Sequence, residues 1–273
     1  MYQFMRAGLG FALLWGIVMA QPVASQAVST QLRAAIAPTG TLRAAINYNN
    51  PLLAQRDRHT NMLSGVAVDL SRELARRLGI PVTLIPYGSA GAIGDASRTN
   101  SWDIAYLAVD PARAKYIDFT VPYLEVEGTY LVPADSPFRQ VDELDHKGIR
   151  IAVTAKSAYD LYLSRHLKHA ELVRFATTPV SIDMMVVQKL DAVAGVRTAL
   201  LAAAQRLPGT RVLPGHFMTI PQAAAIPKGR PAAEQYVELF IEDLKASGFI
   251  ARALKKNDLG PDDALIAPRS TTH

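Results

Sequence analysis

The chain has 273 residues, a formal net charge of +5, an apolar content of 49% and no cysteine. The lack of cysteine excludes disulfide bonds, thiolate metal sites and a lipid attached through a cysteine. The basic residues are scattered and do not form the basic stripe with interleaved aromatic residues that nucleic-acid binding requires. The composition therefore predicts a globular protein that depends on its apolar core for stability and has no nucleic-acid partner.

Residues 1–27 are predicted to be a signal peptide. Arg6 supplies the positive charge, and the apolar run that follows, residues 7–20, is too short to cross a membrane comfortably. Ser25 and Ala27 are small residues at the two positions that a signal peptidase inspects. We therefore expect an exported, cleaved protein, and an uncleaved membrane anchor is the alternative. The remaining 246 residues are enough for one large domain or for two lobes of roughly 120 residues.

A first series of strands and helices is predicted from the hydrophobic periodicity. Leu70, Leu74 and Leu78 recur every four residues, which is typical of one apolar helix face, and Gly79 is a natural helix end. Strands are predicted at residues 41–48 and 80–87, and a further, buried strand at 102–109. The order strand, helix, strand indicates a parallel unit. The glycine-containing sequence after residue 87 is loop-like, and its glycine spacing is wrong for a dinucleotide-binding loop.

A second series follows an extended segment at residues 127–133. Ser157 is predicted to cap the first helix of this series. The predicted strands and helices of the series are at residues 149–154, 157–167, 171–175, 179–190, 191–195, 197–207 and 210–213. Another extended segment, 222–227, precedes a long amphipathic helix at 231–247 and a basic terminal helix, and the last dozen residues are expected to be frayed.

Five motifs resemble those of family 3 solute-binding proteins, the periplasmic receptors of polar amino-acid importers. The most informative is WDIAYLAVDPARAKYIDFTVPY at 102–123, in which an Asp-Pro break precedes Arg113. The others are LSGVAVDLSRELARRLG (63–79), VDELDHKGIRIAVTAKSAYDLYL (141–163), LDAVAGVR (190–197) and KASGFIARALKK (245–256). Each motif alone is weak, but five in the right order cover about residues 38–257.

The resemblance implies an α/β fold of the periplasmic-binding-protein type II class, with two αβ lobes joined by a two-segment hinge. Lobe 1 is expected to comprise residues 28–131 and 226–273, and lobe 2 residues 132–225. It also implies a periplasmic monomer that binds an amino acid or a similar small carboxylate solute. The partner would be the membrane permease of an ABC importer. Neither a metal nor an organic cofactor is implied.

The resemblance also implies candidate ligand-binding residues. Arg113 matches the arginine that holds the ligand carboxylate, a contact that can form two parallel hydrogen bonds. Ser157 matches a hydroxyl at a helix start. Three positions depart from the family pattern, because Ala108 replaces a Ser or Thr, Val196 replaces the amine-binding Asp, and Lys156 replaces a Gly. The predicted site residues are Arg113, Ser157, Asn47, Tyr106, Ala108 and Arg197.

Two alternative functions stay open at this stage. Glu125 and Glu127 lie two apart on an extended segment, share a face and could serve as acids of an enzyme. Cyclohexadienyl dehydratases resemble this receptor fold and use acids in the cleft. A solute-sensing receptor without its own transporter is the other alternative. The six histidines form no obvious catalytic constellation, and neither a nucleophile elbow nor a P-loop is present, so we expect a protein that is not an enzyme.

Overall fold

The computed structural model describes residues 28–269, which form an α/β structure. The predicted signal peptide, residues 1–27, lies outside the described residues. The strands are β1 (Leu42–Asn47), β2 (Gln55–Arg56), β3 (Leu63–Ser64), β4 (Val82–Tyr87), β5 (Ile104–Ala108), β6 (Ile117–Pro133), β7 (Arg150–Thr154), β8 (Glu171–Phe175), β9 (Ala192–Val196), β10 (Thr210–Val212), β11 (Met218–Pro227) and β12 (Leu265–Ile266). The helices are α1 (Thr30–Ile36), α2 (Val66–Leu78), α3 (Ala90–Ala96), α4 (Ala158–His166), α5 (Thr178–Val187), α6 (Arg197–Arg206), α7 (Pro231–Ala246) and α8 (Phe249–Lys256).

The first lobe contains the parallel strands β4, β1 and β5, with α2 and α3 beside them. Strand β1 pairs in parallel with both β4 and β5. Leu70, Leu74 and Leu78 of α2 are fully buried, as their spacing predicts, and Gly79 ends the helix in the left-handed conformation with φ 65°. The predicted parallel unit is therefore confirmed.

The second lobe repeats this arrangement with β8, β7 and β9. Strand β7 pairs in parallel with both neighbours, and α4, α5 and α6 follow β7, β8 and β9 in turn. Ser157 caps α4, because its Oγ accepts a hydrogen bond of 3.1 Å from the backbone N–H of Asp160. The cap predicted from the sequence is confirmed.

Two long strands join the lobes. Strands β6 and β11 pair with each other in antiparallel fashion, and β11 also pairs with β5 while β6 pairs with β9. The result is a continuous sheet in the order β4-β1-β5-β11-β6-β9-β7-β8. These strands are the two-segment hinge, and both begin earlier than the extended segments predicted at 127–133 and 222–227. The predicted lobe boundaries, 131/132 and 225/226, fall inside them and stay a prediction.

The C-terminal segment returns to the first lobe. Helix α7 packs against α1 and β6, and α8 packs against α2. Beyond α8 the chain forms β12 along the edge of β6, and Ala264 and Ala267 on either side of it are buried. The expectation that the last dozen residues are frayed is therefore wrong for residues 262–269. Within the described range, no helix is long and apolar enough to cross a membrane.

The loop-like sequence after β4 is also a helix, contrary to expectation. Ser89 caps α3 by accepting a hydrogen bond of 3.2 Å from the N–H of Ala92. Ile93 is fully buried, and its carbonyl accepts a hydrogen bond of 3.1 Å from the indole N–H of Trp102, which is itself fully buried. Tertiary packing thus stabilises a helix whose two glycines lower its intrinsic propensity.

Candidate ligand-binding site

A cavity lies between the lobes, at the carboxyl ends of β1, β5 and β7 and against β11. Its empty space, including the mouth, is about 590 Å³. Ligands of open α/β sheets bind at this edge, because strand ends and helix starts meet there. The cavity is lined by Asn47, Asn49, Asn50, Leu53, Ser89, Ala90, Tyr106, Leu107, Ala108, Arg113, Thr154, Ser157, Ala158, Tyr159, Thr178, Val196, Ala199, Ile220 and Gln222.

Arg113 is the charged side chain of this lining, and it is only 7% exposed. Its Nη1 donates to the carbonyl of Ala108 over 2.8 Å, and its Nη2 donates to the carbonyl of Lys156 over 2.9 Å. Among residues 28–269 no carboxylate forms an ion pair with this guanidinium. Burial lowers the pKa of Arg113 to about 10, and the charge of nearby Asp110 acts in the opposite direction. The site therefore holds a desolvated cation, for which an anionic ligand would compensate.

The carboxylate of Asp110 is engaged elsewhere. It accepts a hydrogen bond of 2.9 Å from Nη2 of Arg165 and one of 2.8 Å from the N–H of Ala112. Asp110 belongs to the first lobe and Arg165 to the second, so this ion pair also connects the lobes. Asp110, the acid closest to Arg113 in sequence, therefore does not pair with it directly.

Three helices of the second lobe begin at the cavity. Ser157 precedes α4, Thr178 is the first residue of α5, and Val196 precedes α6; all three residues line the cavity. The first turn of a helix has backbone N–H groups without partners in the helix, and the helix dipole is positive there. Because three such ends converge on one cavity with Arg113, its electrostatic potential favours an anion.

A cluster of hydroxyl groups forms the wall of the second lobe. The phenol of Tyr159 donates to Oγ1 of Thr154 over 2.8 Å, and that oxygen lies 3.2 Å from Oγ1 of Thr178 and 3.1 Å from Oγ of Ser181. Burial raises the pKa of Tyr159. This wall therefore offers neutral hydrogen-bonding groups.

The wall of the first lobe carries amide side chains. Asn47 accepts from the N–H of Asn49, Asn50 accepts from the N–H of Leu52, and Asn49 donates to the carbonyl of Gly88. These residues therefore shape a turn and line the cavity at once. Tyr106 borders the cavity, but its ring belongs to the apolar core, where it meets the ring of Tyr123 edge-on.

The structure does not bring Arg197 to the cavity. Its Nε pairs with Oε2 of Glu127 over 2.5 Å, and its Nη2 donates to the carbonyl of Gly215. The other oxygen of Glu127 lies 3.0 Å from Nδ1 of His216. Glu125, Glu127 and Arg197 line a separate depression beside β12. Five of the six predicted site residues thus meet at the cavity, and Arg197 and the two glutamates lie elsewhere.

Lys156 connects the lobes at the cavity edge. It adopts the left-handed conformation with φ 58°, at the position where the family pattern has a glycine. Its carbonyl faces Arg113, and its Nζ pairs with Asp95 of α3 over 2.7 Å. The ammonium group is therefore an exposed contact between lobes and not part of the cavity lining.

The sequence analysis did not predict Gln222, nor the hydroxyl residues Thr154, Tyr159 and Thr178, which also line the cavity. Gln222 is 3% exposed and lies on β11 among alanines. A polar residue inside an otherwise apolar crossing strand was a signal that could have identified it. Thr154 ends β7, and the rule that ligands bind at strand carboxyl ends would have identified it too.

Comparison with known proteins agrees with the motifs. The sequence matches the model of the bacterial extracellular solute-binding proteins, family 3, over residues 42–258. The chain belongs to this family. No curated protein sequence matches this solute-binding protein.

Solved structures resemble the protein over nearly their whole length. A receptor described as the solute receptor for L-cysteine of Neisseria gonorrhoeae is 22% identical with a TM-score of 0.75, and the match covers 86% of this chain and 99% of that one. A mutant of ArgBP from T. maritima is 22% identical with a TM-score of 0.72, covering 82% and 98%. The ancestral amino acid-binding protein AncCDT-1, a precursor of cyclohexadienyl dehydratase, is 23% identical with a TM-score of 0.71, covering 84% and 99%. These likenesses show the fold, that of type II periplasmic binding proteins.

Proposed function

We propose that this solute-binding protein binds a small carboxylate-bearing solute between its lobes and delivers it to the permease of an ABC importer. The observation that supports the proposal is Arg113, a buried guanidinium in the cavity whose hydrogen bonds among the described residues go to two backbone carbonyls and not to a carboxylate. A desolvated guanidinium binds a carboxylate more strongly than most polar groups can, because both partners are charged and their geometries match. The three helix starts add to the same preference.

The proposed cellular setting follows from the family and from the sequence. Family 3 receptors are extracellular or periplasmic proteins, and residues 1–27 are proposed to be a cleaved signal peptide. We propose that the mature protein is a periplasmic monomer. The lobe boundaries 28–131 with 226–273, and 132–225, belong to the same proposal, since closure of one lobe on the other would enclose the solute.

The test is calorimetry on the mature protein with a panel of small carboxylates. A ligand at 100 times its dissociation constant should stabilise the protein by about 2.7 kcal/mol in a thermal-shift screen, which identifies the best ligand. Arg113→Ala should then weaken its binding by roughly 2–5 kcal/mol, the range for removing one partner of a buried charge pair. Arg113→Lys should recover only part of this loss, because lysine cannot form the two parallel hydrogen bonds.

The control is Arg211→Ala. Arg211 also donates to backbone carbonyls, those of Ser136 and Phe138, but it does not line the cavity. This variant should bind the ligand as tightly as the unmodified protein. Equal binding by Arg113→Ala and Arg211→Ala would contradict the proposal.

An enzyme on this fold is the second candidate, and the similarity to AncCDT-1 is its specific support. The cavity lining contains no Asp or Glu, and Glu125 and Glu127 lie in the separate depression. Acid-assisted elimination would need such a group within hydrogen-bond reach of the substrate. We therefore propose that the protein is not an enzyme. Prephenate or arogenate incubated with it should be recovered unchanged, and conversion of either would favour the enzyme.

A further inference from the structure

The side chains that line the cavity provide no negative charge. Of the nineteen residues of the lining, Arg113 is charged and none is acidic. Three acids that neighbour lining residues in sequence or contact Lys156 have other partners. Asp110 pairs with Arg165, Asp160 pairs with Arg174, and Asp95 pairs with Lys156. The cavity is thus cationic at one point and neutral elsewhere.

This charge distribution disfavours an ammonium group. The α-ammonium of an amino acid lies on the carbon next to its carboxylate, so it would be buried close to Arg113 and to the positive helix ends. Amide and hydroxyl oxygens can accept its hydrogen bonds, but they do not compensate its charge, and desolvating an unpaired cation is costly. The same oxygens and N–H groups suit a hydroxyl or an oxo group, which carries no charge.

Val196 forms part of the cavity wall on the second lobe, where an acid could compensate the charge of an ammonium group. It is buried, lines the cavity together with Ala199 and Ile220, and is the N-cap of α6 without a side-chain capping bond. It gives this part of the wall an apolar surface. An acid at this point would extend into the cavity from the second lobe, opposite the wall formed by the first.

We propose that the site takes a small carboxylate without a cationic amine, namely a 2-hydroxy or 2-oxo acid, and that Val196 determines this choice. The inference rests on the proposed function, because it assumes that Arg113 holds the carboxylate. The rest of the cavity lining excludes a molecule that carries an ammonium group in place of the hydroxyl or oxo group.

The first experiment compares matched pairs by calorimetry at neutral pH. The pairs are L-alanine with L-lactate, L-leucine with 2-hydroxy-4-methylpentanoate, and L-phenylalanine with 3-phenyllactate. In every pair that binds, the hydroxy acid should bind at least tenfold more tightly than the amino acid. Equal binding, or tighter binding of the amino acid, would overturn the inference. If binding of the amino acid still depends on Arg113, the proposed function survives that failure; if no carboxylate of either class binds, both fail.

The second experiment reverses the preference. Val196→Asp places a carboxylate on the cavity wall, and Val196→Asn is its uncharged counterpart of the same shape. Both residues are good N-caps, so α6 should form in each variant. Relative to Val196→Asn, Val196→Asp should shift the ratio of the two dissociation constants toward the amino acid by at least tenfold. An unchanged ratio would contradict the role of Val196, and the matched pairs measured on the unmodified protein decide the inference if either variant does not fold.

Discussion

Gly91 of α3 lies directly against residues 155 and 156 of the second lobe, which makes it a probe of closure. A Cβ added there would lie 2.8 Å from Cβ of Lys156 and 3.1 Å from the carbonyl oxygen of Ala155. Non-bonded carbon atoms pack at about 3.5–4.0 Å. The methyl group of Gly91→Ala therefore fits only if the lobe surfaces separate by about 1 Å, which lengthens the hydrogen bond from Arg113 to the carbonyl of Lys156.

Gly91→Ala should weaken ligand binding without lowering the stability of the ligand-free protein. Alanine is a better helix former than glycine by roughly 0.5–1 kcal/mol, so the thermal stability of the ligand-free protein should not fall. Overpacking a close contact costs typically about 1–3 kcal/mol. Under the proposed closure the two surfaces meet only in the closed form, so the cost falls on binding, and affinity should drop by roughly 5- to 150-fold.

Gly94→Ala is the matched control. Gly94 lies on the same helix, and a Cβ added to it meets nothing within 4 Å. Calorimetry with the best ligand should show a weaker Gly91→Ala and an unchanged Gly94→Ala, and solution scattering should show less compaction by ligand for Gly91→Ala. If both variants bind and compact alike, the two surfaces do not meet in the bound state and the reasoning is wrong.

Two further predictions concern stability. Hydrogen bonding from Arg76 is the main cause that lowers the pKa of Glu73 to about 2, so its stabilising contribution is present above about pH 4.5 and is lost as the pH falls through 2. Glu73→Gln should therefore destabilise the protein at pH 7 but not near pH 2 in urea titrations, and a difference that does not vary with pH would refute this. Asp103 is fully buried at the side chain and pairs with Arg43 and Arg230, so Asp103→Ala should cost about 3–5 kcal/mol and lower Tm by roughly 6–20 °C in calorimetric scans. A loss of less than about 1 kcal/mol would show that solvent replaces the carboxylate.

The parts of the fold that follow local rules could be predicted from the sequence. The four-residue spacing of leucines in α2 and the hydroxyl of Ser157 at the start of α4 are determined within one or two helical turns. Helix α3 could not be predicted this way, because its stability comes from the burial of Ile93 against Trp102 and not from its own glycine-containing sequence. The pairing of residues 265–266 with β6 likewise depends on a partner more than a hundred positions away.

The candidate site likewise contains residues that local sequence predicts and residues whose placement depends on distant partners. Arg113 could be identified because a short motif places it, and its burial follows from the strand before it. Gln222 stands out as a polar residue in an apolar strand, but its direction toward the cavity could not be predicted, because the register of β11 against β6 shifts at this residue and a local irregularity of that kind re-aims a side chain. Arg197 follows Val196 directly in sequence, yet one step along a helix start turns the side chain by about 100°. In the folded protein that direction leads to Glu127 on the neighbouring strand and away from the cavity.

Strand β12 leaves a short stretch of β6 with a partner on a single edge, and we expect β6 to bend most easily there. It braces β6 at Leu124 and Glu125, and β9 braces β6 again over residues 128–131. Val126 and Glu127, paired on one edge only, with Ile220 and Thr219, lie between the two braces. A chimera that takes its second lobe from a relative should therefore be joined at these positions. Junctions there leave the pairs of β6 with β12 and with β9 intact.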